Sequence, residues 1–402
     1  MRQKTIYLQI LLFVLTLLST TLAGAELISG KYFFFPFMNV PDVYKLNLND
    51  IYKGLPFSIP FLGILTVHEF GHYFTAKYYK IKVSLPYYIP MWLSSLAFSI
   101  GTMGAVIQIK DKPKTRQQYF DIGIAGPLAG FVLAMICIIY GFTHLPPMEY
   151  LYNIHPEYTK YGGSFAKFVY HNNMEGQIVL GDNLIFYFFR NYIANPALVP
   201  NQFEIVHYPL LMAGYLGLFF TSLNLLPIGQ LDGGHILFGL LKGKKFNTAS
   251  FCFLYILTLY AGFGIITIND LKYPEINHEN RMGLLTNLSL YLIFLWFTFS
   301  KISKSKYSSW IIALSIIVTQ LIISYFITES TYHFYGTNEI SSTSPQGYTG
   351  FLVFALILGR FLGINHPQVD DNELLDTKRK ILAWISLVIF ILSFSPMPFV
   401  SL

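Results

Sequence analysis

Charge is what this sequence lacks most. Only 12% of its 402 residues are Asp, Glu, Lys or Arg, while 53% are hydrophobic; a soluble domain carries about 25% charged residues. That deficit excludes a water-soluble globular chain and implies an all-α polytopic protein embedded in the lipid bilayer. Cysteine is nearly absent too. Cys137 and Cys252 both fall in apolar runs, where a free thiol behaves as a small hydrophobe, so neither a disulfide framework nor a cysteine metal site is expected. The net charge of +6 does not imply a nucleic-acid partner, because Lys and Arg gather in short loops between apolar runs, as membrane orientation requires. There is no internal repeat and no low-complexity tail.

What the sequence does have is a succession of apolar runs. Residues 1–26 start with Arg2 and Lys4, continue apolar from Ile6 to Leu18 and reach the small residues Ala23 to Ala25, the form of a signal peptide or an uncleaved anchor. Further runs fall at about 56–79, 121–143, 207–241, 249–268, 283–300, 308–327, 349–363 and 381–397, giving about nine candidate transmembrane helices. With the N-terminus inside, 19 of the 27 basic residues fall on the inner side, which satisfies the positive-inside rule. The expected organisation is a signal peptide or an N-terminal anchor over 1–26, a core over 56–245 and C-terminal transmembrane helices over 249–402. The expected setting is a bacterial inner membrane, with the N-terminus and the active-site side cytoplasmic.

Two runs contain residues that are costly in a membrane. In the first, His68-Glu69-Phe70-Gly71-His72 puts two imidazoles one helical turn apart on one face, with a glutamate beside them. In the second, Asn224 to His235 places Asp232 in apolar surroundings, where a carboxylate needs a partner and a metal is an adequate one. The bland alternative is a kinked helix in which Asp232 bonds to backbone freed by Pro227 and the Gly233-Gly234 pair. Both helices run from outside to inside with their polar residues in the inner half, so the motifs can meet at one depth. His235 is read as a neighbour of such a site, while His144, His155, His171, His278, His333 and His366 are read as isolated and bland.

Between these runs, Ala97 to Ile109 mixes β-formers with Gly, Ser and Thr, the pattern of short strands in a re-entrant segment, with a surface loop as the alternative. Asp121 and Asp182 are expected as helix caps. Gly123, Gly126, Ala129 and Gly130 form a small-residue face suited to close helix packing.

His68, His72 and Asp232 amount to the three protein ligands of a catalytic zinc site, one zinc per chain, with a fourth position left for water. Glu69 is then the general base, and the reaction class is metal-assisted hydrolysis of a peptide bond. A peptide bond inside a transmembrane helix must be unwound before attack. Asn224 and the stretch containing Gly101, Thr102 and Gly104 are the expected binders of the unwound substrate backbone. Two other classes compete: a transporter using the buried Asp and His residues, against which the missing repeat argues, and an inactive scaffold, against which the intact Glu69 argues.

The chain resembles the site-2 protease family of intramembrane zinc metalloproteases. His68 to His72, Gly126-Pro127-Leu128-Ala129-Gly130 and Asn224 to Gly234 carry the likeness, which covers roughly residues 56–245. It implies a three-helix catalytic core with zinc on His68, His72 and Asp232, and transmembrane protein substrates. Pro86 to Pro90, Gly101 to Ala105 and the Lys378-Arg379-Lys380 loop resemble the branch with the chloroplast enzymes of the ethylene-dependent gravitropism-deficient yellow-green type. The 144–206 segment is shorter than a PDZ insertion, so no PDZ domain is expected, and the helices at about 283–327 look additional.

Overall fold

The computed structural model describes residues 2–33, 45–94, 99–170, 178–241, 243–272, 281–302, 305–335, 346–367, 369 and 373–401. The chain is mostly helical and divides into two compact units, Met1–Leu225 with Val369–Leu402, and Leu226–Gln368.

The first unit contains α1 (Arg2–Ser29), α2 (Leu55–Tyr78), β1 (Tyr87–Pro90), β2 (Thr102–Val106) and α3 (Arg116–Thr143). It continues through α4 (Glu149–Ile154), α5 (Phe165–Val169), β3 (Ile178–Leu180), α6 (Leu184–Phe188) and α7 (Pro209–Asn224). Helices α2, α3 and α7 pack pairwise against one another. Phe57, Phe61 and Ile64 of α2, Ala134 and Ile138 of α3 and Leu211, Tyr215 and Leu216 of α7 form one buried cluster. Because lipid is as apolar as these side chains, close packing and interior hydrogen bonds hold such helices together rather than hydrophobicity. Tyr215 illustrates this, donating its hydroxyl proton to Gly181 O (2.6 Å) and Pro398 O (2.8 Å) from a fully buried position.

Two small antiparallel sheets complete this unit. Tyr87 pairs with Val106, Tyr88 with Ala105 and Pro90 with Thr102 in the β1–β2 hairpin. The strand-like reading of Ala97 to Ile109 thus holds for 102–106, while Ala97 and Phe98 lie outside the described residues. Strand β3 pairs with β4 (Phe399–Ser401) in the register Ile178 to Ser401, tying the end of the chain to the segment after α5.

The second unit contains α8 (Asp232–Leu240), α9 (Gly243–Ala261), α10 (Ile268–Lys272), α11 (Arg281–Phe299), α12 (Lys306–Tyr335) and α13 (Gly350–Leu356). Gln320, 2% exposed on α12, donates to Leu259 O (2.8 Å) of α9, and Tyr291 of α11 shares a hydrogen bond with it. The last helix, α14 (Thr377–Ser393), returns to the first unit and packs on α3 and α7.

Among the described residues, four helical stretches are long and apolar enough to cross a membrane by length and composition: Lys4–Ser29, Arg116–Thr143, Arg281–Phe299 and Tyr307–Ile327. The chain is therefore a membrane protein. Helix α2, with 24 residues, has the length, and its His-Glu-His motif lowers its hydropathy.

Several local expectations are corrected. The 207–241 run is two helices, broken at 225–231, where Pro227 supplies no donor. The Gly233-Gly234 pair lies inside α8; the left-handed residue is Gly229 (φ +58), whose N–H donates to Ser250 Oγ at 2.8 Å. Thr115 rather than Asp121 caps α3, accepting from Gln118 N, and Asn183 rather than Asp182 caps α6. Asp121 lies within α3 and pairs in a bidentate fork with Arg379 of α14 (Nε 2.8 Å, Nη2 2.6 Å), with Tyr79 donating to the same carboxylate. An acidic residue in an apolar run needs such a partner.

Candidate metal centre

Helix α2 begins with Pro56 in its first turn, where a missing N–H costs nothing. The helical repeat then stacks His68 and His72, 6% and 7% exposed, on one face. Their Nε2 atoms lie 3.1 Å apart. His72 Nδ1 donates to Ile122 O of α3 at 2.6 Å, which fixes the tautomer and turns Nε2 inward. Asn224 Nδ2, at the end of α7, lies 3.3 Å from His68 Nε2. Two helices, α2 and α7, therefore deliver the two nitrogens and the amide to one place, and α3 orients one of the rings.

The close approach depends on α3 being bare here. A Cβ on Gly126 would sit 2.2 Å from His72 Nε2, and one on Gly130 would sit 3.2 Å from His68 Cβ. The small-residue face expected as packing is thus the surface on which both imidazoles rest. Pro127, inside α3, removes one helical N–H and loosens the turn that faces them. Sequence reasoning missed this role for Gly126 because a small-residue face by itself does not say what lies against it.

Two imidazole nitrogens this close in a buried setting repel unless a proton or a cation lies between them. Nitrogens bound to one tetrahedral zinc at 2.0–2.1 Å are separated by about 3.3 Å. The observed pair fits that donor geometry.

Glu69 is also buried, at 7% exposure, and lies within electrostatic reach of the Tyr88 phenol on β1. Tyr88 in turn shares a hydrogen bond with Thr66 Oγ1 (2.7 Å), two residues before the motif, so the hairpin is fastened to the helix bearing Glu69. Asp232 is the first residue of α8 in the second unit, where a helix start favours a carboxylate. In that unit His235 Nδ1 and His366 Nε2 lie 2.8 Å apart, with the His366 ring stacked on Phe238. The reading of His366 as isolated is therefore corrected, and His235 has a specific partner.

The three hairpin positions differ in what surrounds them. Gly101 (φ +85) lies so close to α1 that a Cβ would approach Thr20 Cα to 2.3 Å, and Gly101 O accepts from Ser19 Oγ at 2.6 Å. Thr102 Oγ1 donates to Ile89 O (2.8 Å) and accepts from Gly104 N (3.0 Å), closing the turn. At Gly104 nothing among the described residues lies within 4 Å of an added Cβ.

A family model for peptidase family M50 matches residues 56–261, which include α2, α3, α7 and Asp232. The chain belongs to peptidase family M50. It is 32% identical over 240 residues to the rice protein "Probable zinc metalloprotease EGY1, chloroplastic" of Oryza sativa subsp. japonica, covering 58% of this chain and 37% of the relative. The Arabidopsis thaliana protein of the same name is 31% identical over 209 residues (52% and 34%), and "Probable zinc metalloprotease EGY2, chloroplastic" of Oryza sativa subsp. indica is 28% identical over 206 (50% and 32%). The chain thus aligns with about a third of the length of these relatives. They are chloroplastic by name, so the expected bacterial inner membrane draws no support from them. No solved structure matches the chain.

Proposed function

We propose that this M50 chain is an intramembrane zinc metalloendopeptidase that hydrolyses peptide bonds within or near transmembrane segments of other membrane proteins. The observation that carries the reading is the His68–His72 nitrogen pair, 3.1 Å apart and oriented by Ile122 O, inside the segment that the family model matches. In this reading His68, His72 and Asp232 hold one zinc ion, three protein ligands with one position open. The assignment of Asp232 is supported by the chain itself. It follows Asn224 by only eight positions, through a tight turn in which Ile228 N donates to Leu226 O and Leu231 N to Ile228 O.

When bound, zinc acidifies a water and polarises the scissile carbonyl. Glu69 takes the proton from the attacking water and passes it to the departing amine as the C–N bond breaks. Asn224 hydrogen-bonds the unwound substrate backbone. Strand β2 offers that backbone an edge, because among the described residues it pairs only with β1. Gly101 and Thr102 hold the edge in register against α1 and β1, and Gly104 leaves room for the incoming chain.

The topology that goes with this reading has nine spans, with the basic loops and the N-terminus on the side nearer the metal, and a protease core over 56–245. In this reading helix α1 stays in place as an anchor. Its Glu26 is buried and accepts from Trp92 Nε1 at 3.0 Å, a contact that cleavage after it would strand.

The test compares wild type with Glu69→Gln, purified in detergent, for bound zinc and for cleavage of a model transmembrane substrate. Retained zinc with lost cleavage is expected. Unchanged cleavage in the variant overturns the assignment.

A further inference from the structure

A second donor cluster lies in the segment before α7. His155 follows α4, and Glu204 and His207 flank and end a single 3-10 turn, Ile205–His207. The Nε2 atoms of His155 and His207 are 3.2 Å apart, and Glu204 Oε2 lies 3.5 Å from His207 Nε2 and 3.9 Å from His155 Nε2. The edges of a tetrahedron of donors around a zinc-sized ion are about 3.3 Å long, so these three atoms stand close to three corners of one coordination tetrahedron.

The protons are arranged to leave these atoms bare. His207 Nδ1 lies 2.9 Å from both Leu27 O and Ile28 O at the end of α1, and carbonyls accept only, so Nδ1 carries the hydrogen. His155 Nδ1 faces the Glu157 carboxylate at 3.2 Å, which fixes the same tautomer. Tyr170 donates its hydroxyl proton to Glu204 Oε1. The other carboxylate oxygen, Oε2, is buried and has no hydrogen-bond partner among the described residues, in a side chain only 1% exposed. A buried carboxylate oxygen without a donor is costly, and it is aimed at two imidazole nitrogens that present lone pairs.

We propose that His155, Glu204 and His207 form a second, structural metal site that takes a divalent transition ion of the zinc type, independent of the His68–His72 centre. Two neutral imidazoles and one carboxylate suit zinc, and a water completes four-coordination. His155, 23% exposed at its side chain, provides the entry. The ion ties His155 to the 3-10 turn before α7, and His207 carries the link on to the carbonyls that end α1. Sequence spacing conceals the site, since 52 residues separate the two histidines.

The test uses the full chain in detergent, with zinc counted by mass spectrometry after gel filtration and Co2+ absorption recorded on the same samples. Wild type should hold about two zinc ions per chain, and His68→Ala/His72→Ala about one, with a tetrahedral Co2+ band. Adding Glu204→Gln, which keeps the side-chain shape, should remove that ion and the band. Adding His155→Gln at the partly exposed ligand should weaken Co2+ binding by about tenfold or more, a second reading if Glu204→Gln does not fold. A His68→Ala/His72→Ala protein with neither zinc nor a Co2+ band overturns the inference, and the two nitrogens then share a proton. A wild type with one ion that survives His68→Ala/His72→Ala supports this site and overturns the proposed catalytic centre instead, so the two failures are distinguishable.

Discussion

The His68–His72 and His155–His207 pairs have almost the same separation, 3.1 and 3.2 Å, and reach it by opposite routes. In the first pair one helix does the work, since four residues make about one turn and the sequence displays the pair directly. In the second, a loop after α4 and a 3-10 turn before α7 converge across 52 residues, and no periodicity announces it. The surroundings differ as well. The first pair has a general-base candidate beside it and an amide from α7; the second has a carboxylate with one oxygen unpartnered among the described residues and a tyrosine holding the other oxygen. In the readings proposed above, the first acts on a substrate and the second fastens segments together.

The largest effect that tests this contrast belongs to Glu69→Gln. Cleavage of a model transmembrane substrate should fall by roughly 10²–10⁴-fold, the usual loss on removing a general base, with zinc content unchanged. A comparable loss from Glu204→Gln with all zinc retained would erase the distinction. Next comes Gly126→Ala. A Cβ 2.2 Å from His72 Nε2 must displace the imidazole, and misplacement by about 1 Å costs on the order of 10²-fold in rate. Zinc at the first pair should fall with it, and wild-type cleavage in this variant would show that α3 does not set the position of His72. Asp232→Ala comes third: by metal analysis of the His155→Gln background, it should lose zinc at the first pair by about 10-fold or more in affinity. Full occupancy would mean that another group is the third ligand.

What the sequence revealed follows the same division. Residues that serve a site through one helix were legible, because His68, Glu69 and His72 share a turn, and so was the break near Pro227, because proline supplies no N–H. The hairpin was legible in kind, yet the tasks of its members were not: Gly101 is bare because α1 passes against it, a fact held by Thr20, some 80 positions away. The Gly233-Gly234 pair misled for a related reason. Glycine permits a break without requiring one, and the left-handed residue turned out to be Gly229. Asp121 resembles a cap because the apolar run begins there, but α3 begins five residues earlier and Thr115 caps it, which places Asp121 inside the helix, paired with Arg379.

That last pair yields the smallest prediction, which protects the others from misreading. Arg379 and Asp121 are 23% and 20% exposed at their side chains, so solvent screens their fork and removing one charge should cost only about 1–2 kcal/mol. Asp121→Asn keeps the shape and loses the charge, and should lower the thermal midpoint modestly while leaving the zinc count at both pairs intact. The contact joins α14 to α3 on the helix that cradles His72. If Asp121→Asn shed zinc, the loss in Gly126→Ala could be general loosening of α3 rather than displacement of one imidazole. Retained zinc at a lowered midpoint would show instead that the first pair responds to what touches its rings and not to the stability of the helix beneath them.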